Sequence, residues 1–184
     1  MSKPTLALDV ESTMANTHGR MLAKYNSRHG TDYELDDVTS WNWVGDVIDF
    51  DEFMGIMREI WANHETLMPL ETGLGDTVEE LSKVFDVDIV TAHEGVEDEM
   101  QRWFKDHRIT DYNEFHSGDH TLNKAEMGYD YLIDDKPSLA ANLSGSQVLY
   151  LRDQPYNRNV AGDGVVRVSE VADVLDEHGG QSDD

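Results

Sequence analysis

The sequence predicts an α/β fold: a Rossmann-like parallel sheet with helices on both faces, carrying a small inserted helical cap. Short apolar runs that stop at polar residues, with amphipathic helical stretches between them, predict the sheet. A long interval without this alternation predicts the cap.

In "TLALDVEST", residues 5–8 form an apolar run bounded by Pro4 and Asp9, as in a central strand buried on both faces. "DVDIVTAH" repeats the pattern, with Val87, Ile89 and Val90 ending at Thr91. "YDYLIDDKP" does so with Tyr131, Leu132 and Ile133 ending at Asp134 and Asp135, and a fourth run, "SQVLYLRD", ends near Arg152. Between the runs, Val78, Leu81, Val84 and Phe85 share one helical face, and Val96, Met100, Trp103 and Phe104 share another. In parallel sheets ligands bind beyond the carboxyl ends of the strands, which makes Asp9, Thr91 and the Asp134/Asp135 pair a candidate site.

Residues 15–74 are too long for an ordinary strand-to-helix connection. One helix is expected over 17–29, with Met21, Leu22 and Tyr25 on one face. A second is expected over 50–63, with Phe50, Phe53, Met54, Met57, Ile60 and Trp61 inward. Residues 1–14 and 75–184 then form the core domain and 15–74 the cap. A last helix is expected over 169–178, with Ser169 as its N-cap and Gly179 as its stop, and 179–184 as a disordered tail.

Composition narrows the function classes. The 184 residues include 38 acidic against 14 basic side chains, a formal charge of −24 spread along the chain. Such a charge repels itself without screening and opposes bulk nucleic-acid binding; it suits a cytoplasm of very high salt, such as a halophile's. There is no cysteine, hence no disulfide, thiolate nucleophile or thiolate metal site. The N-terminal apolar run is too short for a signal peptide and no window approaches 18 apolar residues, so a soluble, cytoplasmic protein with no membrane partner is expected. The histidines show no zinc-ligand spacing.

In so acidic a chain a lone D-x-E carries little information; the ordered set carries more. Asp9 with Glu11, then Thr91, Lys124, and Asp134 with Asp135 supply a carboxylate nucleophile, an acid/base, a hydroxyl, a cation and a metal-binding acidic pair. Phosphoryl transfer through an aspartyl-phosphate needs these groups, because a phosphate dianion among carboxylates is repelled unless Mg²⁺ and a lysine offset the charge. The bland readings are a solvated Asp9, a helix-capping Thr91 and a surface Lys124. Two adjacent carboxylates after an apolar run repel each other unless a cation sits between them.

With these motifs the sequence resembles the haloacid dehalogenase superfamily of phosphohydrolases, and within it the 5'(3')-deoxyribonucleotidase branch. Asp9-Val10-Glu11-Ser12-Thr13 matches the first motif, Thr91 the second, Lys124 the third and Asp134-Asp135 the fourth; Lys136-Pro137 and "VLYLRDQPYNR" are similar to that branch. The resemblance implies that Asp9 attacks phosphorus and that Glu11 protonates the leaving oxygen and then activates water. It implies Mg²⁺ held by Asp9, the backbone carbonyl of Glu11, Asp134 and Asp135, and phosphate held by Thr91, Lys124 and the backbone N–H of Ala92. Small phosphorylated metabolites, nucleoside 5'- or deoxynucleoside monophosphates first, are the implied substrates.

Two residues depart from the family pattern: Glu11 replaces its second aspartate and Ser12 its glycine. An extra methylene moves the carboxylate by about an ångström, and misplacement on that scale costs roughly 10²-fold in rate. Slower turnover with Mg²⁺ binding retained is the expectation, with Glu11→Asp the faster form. A weakened member that binds a phosphorylated ligand or partner without efficient turnover is the alternative reading. Trp41 and Trp43, two apart in an extended cap segment, would project from one side and stack on a base, or else close the cap's own small core. The aromatic cap also offers a homodimer surface.

Overall fold

The structure, a computed structural model, describes residues 2–181. Six strands form one parallel sheet: β1 (Thr5–Leu8), β2 (Asp86–Thr91), β3 (Phe115–Ser117), β4 (Tyr131–Asp134), β5 (Val148–Arg152) and β6 (Val165–Val168), in the order β3-β2-β1-β4-β5-β6. The chain fills one side of β1 first and then crosses to the other, so the reversal point lies at β1 and β4, where ligands bind in such sheets.

Crossover handedness decides what covers each face. Right-handed connections running one way along a sheet put their helices on one face, and those running the other way put theirs on the opposite face. The helices α4 (Leu74–Val84) and α5 (Glu97–Asp106) therefore pack on the side of Leu6, Leu8, Val87 and Ile89. Ala7, Val90, Leu132 and Leu149 point the other way, as the period of two requires, and pack against Ala125 and Leu139. Those two residues belong to 3₁₀ turns, Lys124–Met127 and Pro137–Asn142, so the second face carries tight turns where full helices were expected.

Between β1 and α4 lie α1 (Thr17–His29), a short irregular turn α2 (Trp43–Asp46) and α3 (Phe50–Ala62). The spacing predicts α1 and its buried face of Met21, Leu22 and Tyr25; Gly30 ends it with φ 67° and its N–H on the Asn26 carbonyl. In α3 Asp49 caps the N-terminus, and Ile56, Met57, Ile60 and Trp61 are buried. Phe50, expected inward, is exposed in the first turn of the helix, with its ring against Phe53 and His120. Ion pairs of Lys24 and Arg28 with Glu59, and a hydrogen bond between His29 and Glu52, tie α1 to α3. The chain enters and leaves this segment through a paired neck, in which Asn16 N–H donates to the Met68 carbonyl (3.0 Å) and Leu70 N–H to that of Met14 (2.8 Å).

Other expectations change. Helix α4 stops at Val84, which is exposed, and Phe85 is buried from an extended position after the helix, because Asp86 already belongs to β2. The strands β3 and β6 escaped the sequence reading: both lie at sheet edges and lack a long apolar run. The final helix, α6, runs over Asp173–Gln181 and not over 169–178. Asp173 accepts from the N–H groups of Ser169 and Glu170, which holds that stretch as a turn ahead of the helix. The helix continues past Gly179, and the remainder of the expected tail, 182–184, lies outside the described residues.

Candidate active site

Sheet register brings Asp9 and Asp134 side by side. Leu8 pairs with Ile133, and the ladder continues one residue further, with Asp9 N–H donating to the Ile133 carbonyl (3.0 Å). Strand alternation turns both carboxylates toward the face that carries the Lys124 turn. Lys124 Nζ donates to Oδ1 of Asp9 and to Oδ2 of Asp134 (2.7 Å for the second), and Thr13 Oγ1 donates to the other oxygen of Asp9 (2.8 Å). All four side chains are buried.

Asp135 completes an acidic cluster, in which one oxygen from each of Asp9, Asp134 and Asp135 lies within 4.8 Å of the others. Tyr156 OH donates to Asp135 Oδ2, and Asn157 Nδ2 donates to the Asp135 carbonyl (2.9 Å). Burial and the Asp134 charge raise Asp9 to about 7, against the pull of Lys124. Burial, with Asp9 and Asp134 beside it, pushes Asp135 well above the usual carboxylate range. Burial alone would weaken the Lys124 ammonium, but Asp134 and Asp9 outweigh it and hold the lysine charged. With all three ionised, the carboxylates would outnumber the one ammonium, and their hard oxygen donors fit a divalent cation such as Mg²⁺, which would offset that charge.

The carboxylate of Glu11 points into a separate set of donors. Its Oε2 accepts from Thr91 Oγ1 (2.7 Å), and its Oε1 from Trp61 Nε1 (3.1 Å) and His93 Nδ1 (2.9 Å). Burial disfavours the charge, yet the bonds from His93, Thr91 and Trp61 prevail and hold Glu11 below the ordinary glutamate value. The other nitrogen of His93, Nε2, is buried with no protein partner. Ser12 takes the left-handed φ of 59° that glycine adopts without cost. Its hydroxyl is held by Thr17 Oγ1 (3.0 Å) and His18 Nδ1, and its carbonyl accepts from Gln154 Nε2 (2.8 Å), so the side chain anchors the turn that glycine would merely permit. Burial lowers His18 to about 4 and keeps it neutral.

The structure thus brings together Asp9, Lys124, Asp134 and Asp135, and joins Glu11 to Thr91. Thr91 does not cap a helix, since α5 begins at Glu97 with Val96 at its N-cap. Ala92 follows β2 in a bend, half-buried. The two tryptophans separate. Trp41 is 44% exposed and stands edge-on to Tyr156 at 5.5 Å, whereas Trp43 is 6% exposed and packs between Tyr25 and Tyr33. The segment is not extended: Trp43 N–H bonds the Ser40 carbonyl (3.1 Å), and that turn puts Trp43 into the insert's own core.

Trp61 and Tyr156 were missed as site residues; on sequence alone Thr13 stands only within the first motif, and His93, two residues after Thr91, could line the phosphate pocket or face solvent. Thr13 had a signal, four residues after Asp9; Trp61 and Tyr156 had none, because only packing brings them to the strand ends. Among the described residues the acidic cluster is the only group of three or more histidine or carboxylate side chains close enough to hold a metal ion, and no helix is long and apolar enough to cross a membrane.

Residues 3–177 match the family described as 5' nucleotidase, deoxy (pyrimidine), cytosolic type C protein. A 5'(3')-deoxyribonucleotidase of Clostridium acetobutylicum is 26% identical over 165 residues, covering 86% of this chain and 87% of that protein. Among solved structures, a haloacid dehalogenase-like hydrolase from Streptococcus pneumoniae superposes with a TM-score of 0.63 at 13% identity, over 96% of this chain and 98% of that one. The HAD-hydrolase YfnB of Bacillus subtilis, in a magnesium-bound form, gives 0.57 at 11% identity, over 96% and 99%. The family model spans nearly the whole of this chain, which therefore belongs to the 5' nucleotidase, deoxy (pyrimidine), cytosolic type C protein family.

Proposed function

We propose that this hydrolase is a Mg²⁺-dependent phosphomonoesterase that acts through an aspartyl-phosphate on Asp9, with pyrimidine deoxynucleoside monophosphates as its first substrate class. The observation that carries the reading is the junction of β1 and β4, where Asp9 is held on one oxygen by Lys124 and on the other by Thr13 beside an acidic pair. Thr13 and Lys124 fix the direction of the carboxylate, which removes orientational freedom that an attacking group would otherwise lose in the transition state.

The excess of buried carboxylate charge is what a divalent cation would offset, and Asp9, Asp134, Asp135 and the Glu11 carbonyl are the ligands assigned to Mg²⁺. Once bound, the ion would stabilise negative charge on the phosphoryl group. Thr91, Lys124 and the Ala92 N–H are assigned to the phosphate oxygens. Asp9 Oδ attacks phosphorus and the ester P–O bond breaks; Glu11 gives its proton to the departing alkoxide. Glu11, now a carboxylate, takes a proton from a water that attacks the acyl phosphate and releases inorganic phosphate and Asp9. When Thr91 turns to the phosphate, Glu11 loses one donor and gains a dianion nearby, and both changes raise its hold on the proton it must deliver.

Residues 15–74 are assigned the role of cap. Trp41, exposed and edge-on to Tyr156, is the side chain assigned to stack on a base, a role first considered for both tryptophans. The test is a phosphomonoester panel, nucleotides included, in high salt with Mg²⁺ and with Asp9→Asn as the blank. Asp9-dependent release, greatest on pyrimidine deoxynucleotides, is expected. Release on none of them would leave binding without turnover.

A further inference from the structure

We propose that Trp61 and His93 are positioning residues for Glu11, and that they fit this site to glutamate in preference to aspartate. The proposal rests on the acid/base role given to Glu11 above and assigns what holds it there. In this chain the carboxylate of Glu11 takes one of its donors from the insert, Trp61.

Trp61 comes from α3 and is wholly buried. Its ring stands at 90° to Trp103 with centroids 6.1 Å apart, and Trp103 is itself fixed by its indole N–H on the Leu67 carbonyl (2.7 Å). The direction of the Trp61 N–H is therefore set by packing between α3 and α5, independently of Glu11. An indole has one donor and no acceptor, so it can locate a carboxylate oxygen but cannot adapt to a different one. That oxygen, Oε1, lies 3.1 Å away and is shared with His93 Nδ1 at 2.9 Å, while Thr91 takes Oε2.

An aspartate at residue 11 would end one carbon–carbon bond short, about 1.5 Å. Starting from 3.1 and 2.9 Å, neither Oε1 contact would then meet hydrogen-bond length. The buried indole N–H would be left unmet. The Trp61 bond survives release of Thr91 to a phosphate, so Glu11 keeps its location when its second oxygen is called on for proton transfer. Because the donor belongs to the insert, it also ties the acid/base to the seating of α3 on the sheet domain.

Two readouts separate this proposal from the phosphatase reading on which it rests. The first needs no activity: the indole ¹H–¹⁵N resonances of the four tryptophans, with the Trp61 signal identified from Trp61→Phe. Glu11→Asp should shift the Trp61 signal upfield while leaving Trp41 and Trp43 in place; an unmoved Trp61 signal overturns the proposal even if no phosphatase activity is found. The second is kinetic, on deoxyuridine 5'-monophosphate and p-nitrophenyl phosphate. Trp61→Phe keeps the buried ring and should lower kcat about tenfold at unchanged KM. In the Glu11→Asp background, itself slower than wild type, it should change kcat less than about twofold. His93→Asn, which retains a donor near Nδ1, should keep most of the turnover that His93→Ala loses. A Glu11→Asp enzyme faster than wild type, or tryptophan and aspartate effects that simply multiply, would overturn the matched fit.

Discussion

Asp9 is a carboxylate whose neighbours pull its charge in opposite directions. Burial and Asp134 favour the protonated form and raise it to about 7 from 3.8, while Lys124 favours the charged one. Between those values the folded, metal-free protein holds a proton that the unfolded chain has released, so rising pH works against the fold across that window. The divalent cation proposed for this site would compete with that proton for the same oxygens. The heat-unfolding midpoint should therefore rise on adding saturating Mg²⁺, and rise more at about pH 8 than at about pH 6; at a hundredfold excess over Kd the gain is about 2.7 kcal/mol. Equal shifts at the two pH values would remove Asp9 from the ligand set.

Glu71 and Arg152 show what a pair of elements decides. Glu71 lies on the return from the insert to α4, and Arg152 ends β5; both are buried. Glu71 Oε2 accepts from Arg152 Nη1 (3.0 Å) and from the Val171 N–H (2.8 Å), so one carboxylate joins the exit of the insert, a sheet strand and the approach to α6. Removing one member of a buried pair leaves the other charge uncompensated, at a cost of about 3 kcal/mol or more. Urea unfolding of Glu71→Ala should show that loss, and replacing both residues by apolar ones of similar size should restore most of it. A loss for Glu71→Ala below about 1 kcal/mol would mean that water reaches Arg152.

Legibility in the sequence followed the same division between local and distant. Asp9, Thr91 and the Asp134/Asp135 pair could be read because each directly follows an apolar run, and the end of a parallel strand fixes where such a residue stands. Lys124 could be read from its place before β4 and from the rarity of lysine in the chain. Trp43 could not be placed, because a spacing of two means one shared side only if the segment is extended, and the turn from Ser40 removes that condition. Against the family pattern Glu11 is one methylene long; the donors that α3 and the β2 exit present to it are set by packing and leave no mark in the sequence.

Over the whole molecule the formal charge of −24 is the dominant long-range term. Several cations are already committed, Lys124 and Arg152 in buried pairs and Lys24 and Arg28 between α1 and α3. The remaining repulsion falls to dissolved salt. The Debye length shortens from about 10 Å at 0.1 M to about 3 Å at 1 M, which screens all but adjacent charges. Raising KCl from about 0.1 M to about 2 M should lift the unfolding midpoint by about 10 °C, equivalent to a few kcal/mol for a chain of this size. A midpoint that falls or stays level would show that this acidity is not an adaptation to salt.

The sequence by itself determined the parallel α/β class, four of the strands, the two main helices of the insert and the carboxylates at the strand ends. Each of these follows from periodicity and from chemistry within a few residues along the chain. Only the tertiary structure decided that "TLALDVEST" delivers its two carboxylates to different partners, Asp9 to Lys124 and the acidic pair, Glu11 to Thr91, His93 and an indole fifty residues away. The physical reason is that a strand fixes the direction of its own side chains, whereas the donors that receive them are set by how α3, α5 and the crossover turns pack around the sheet.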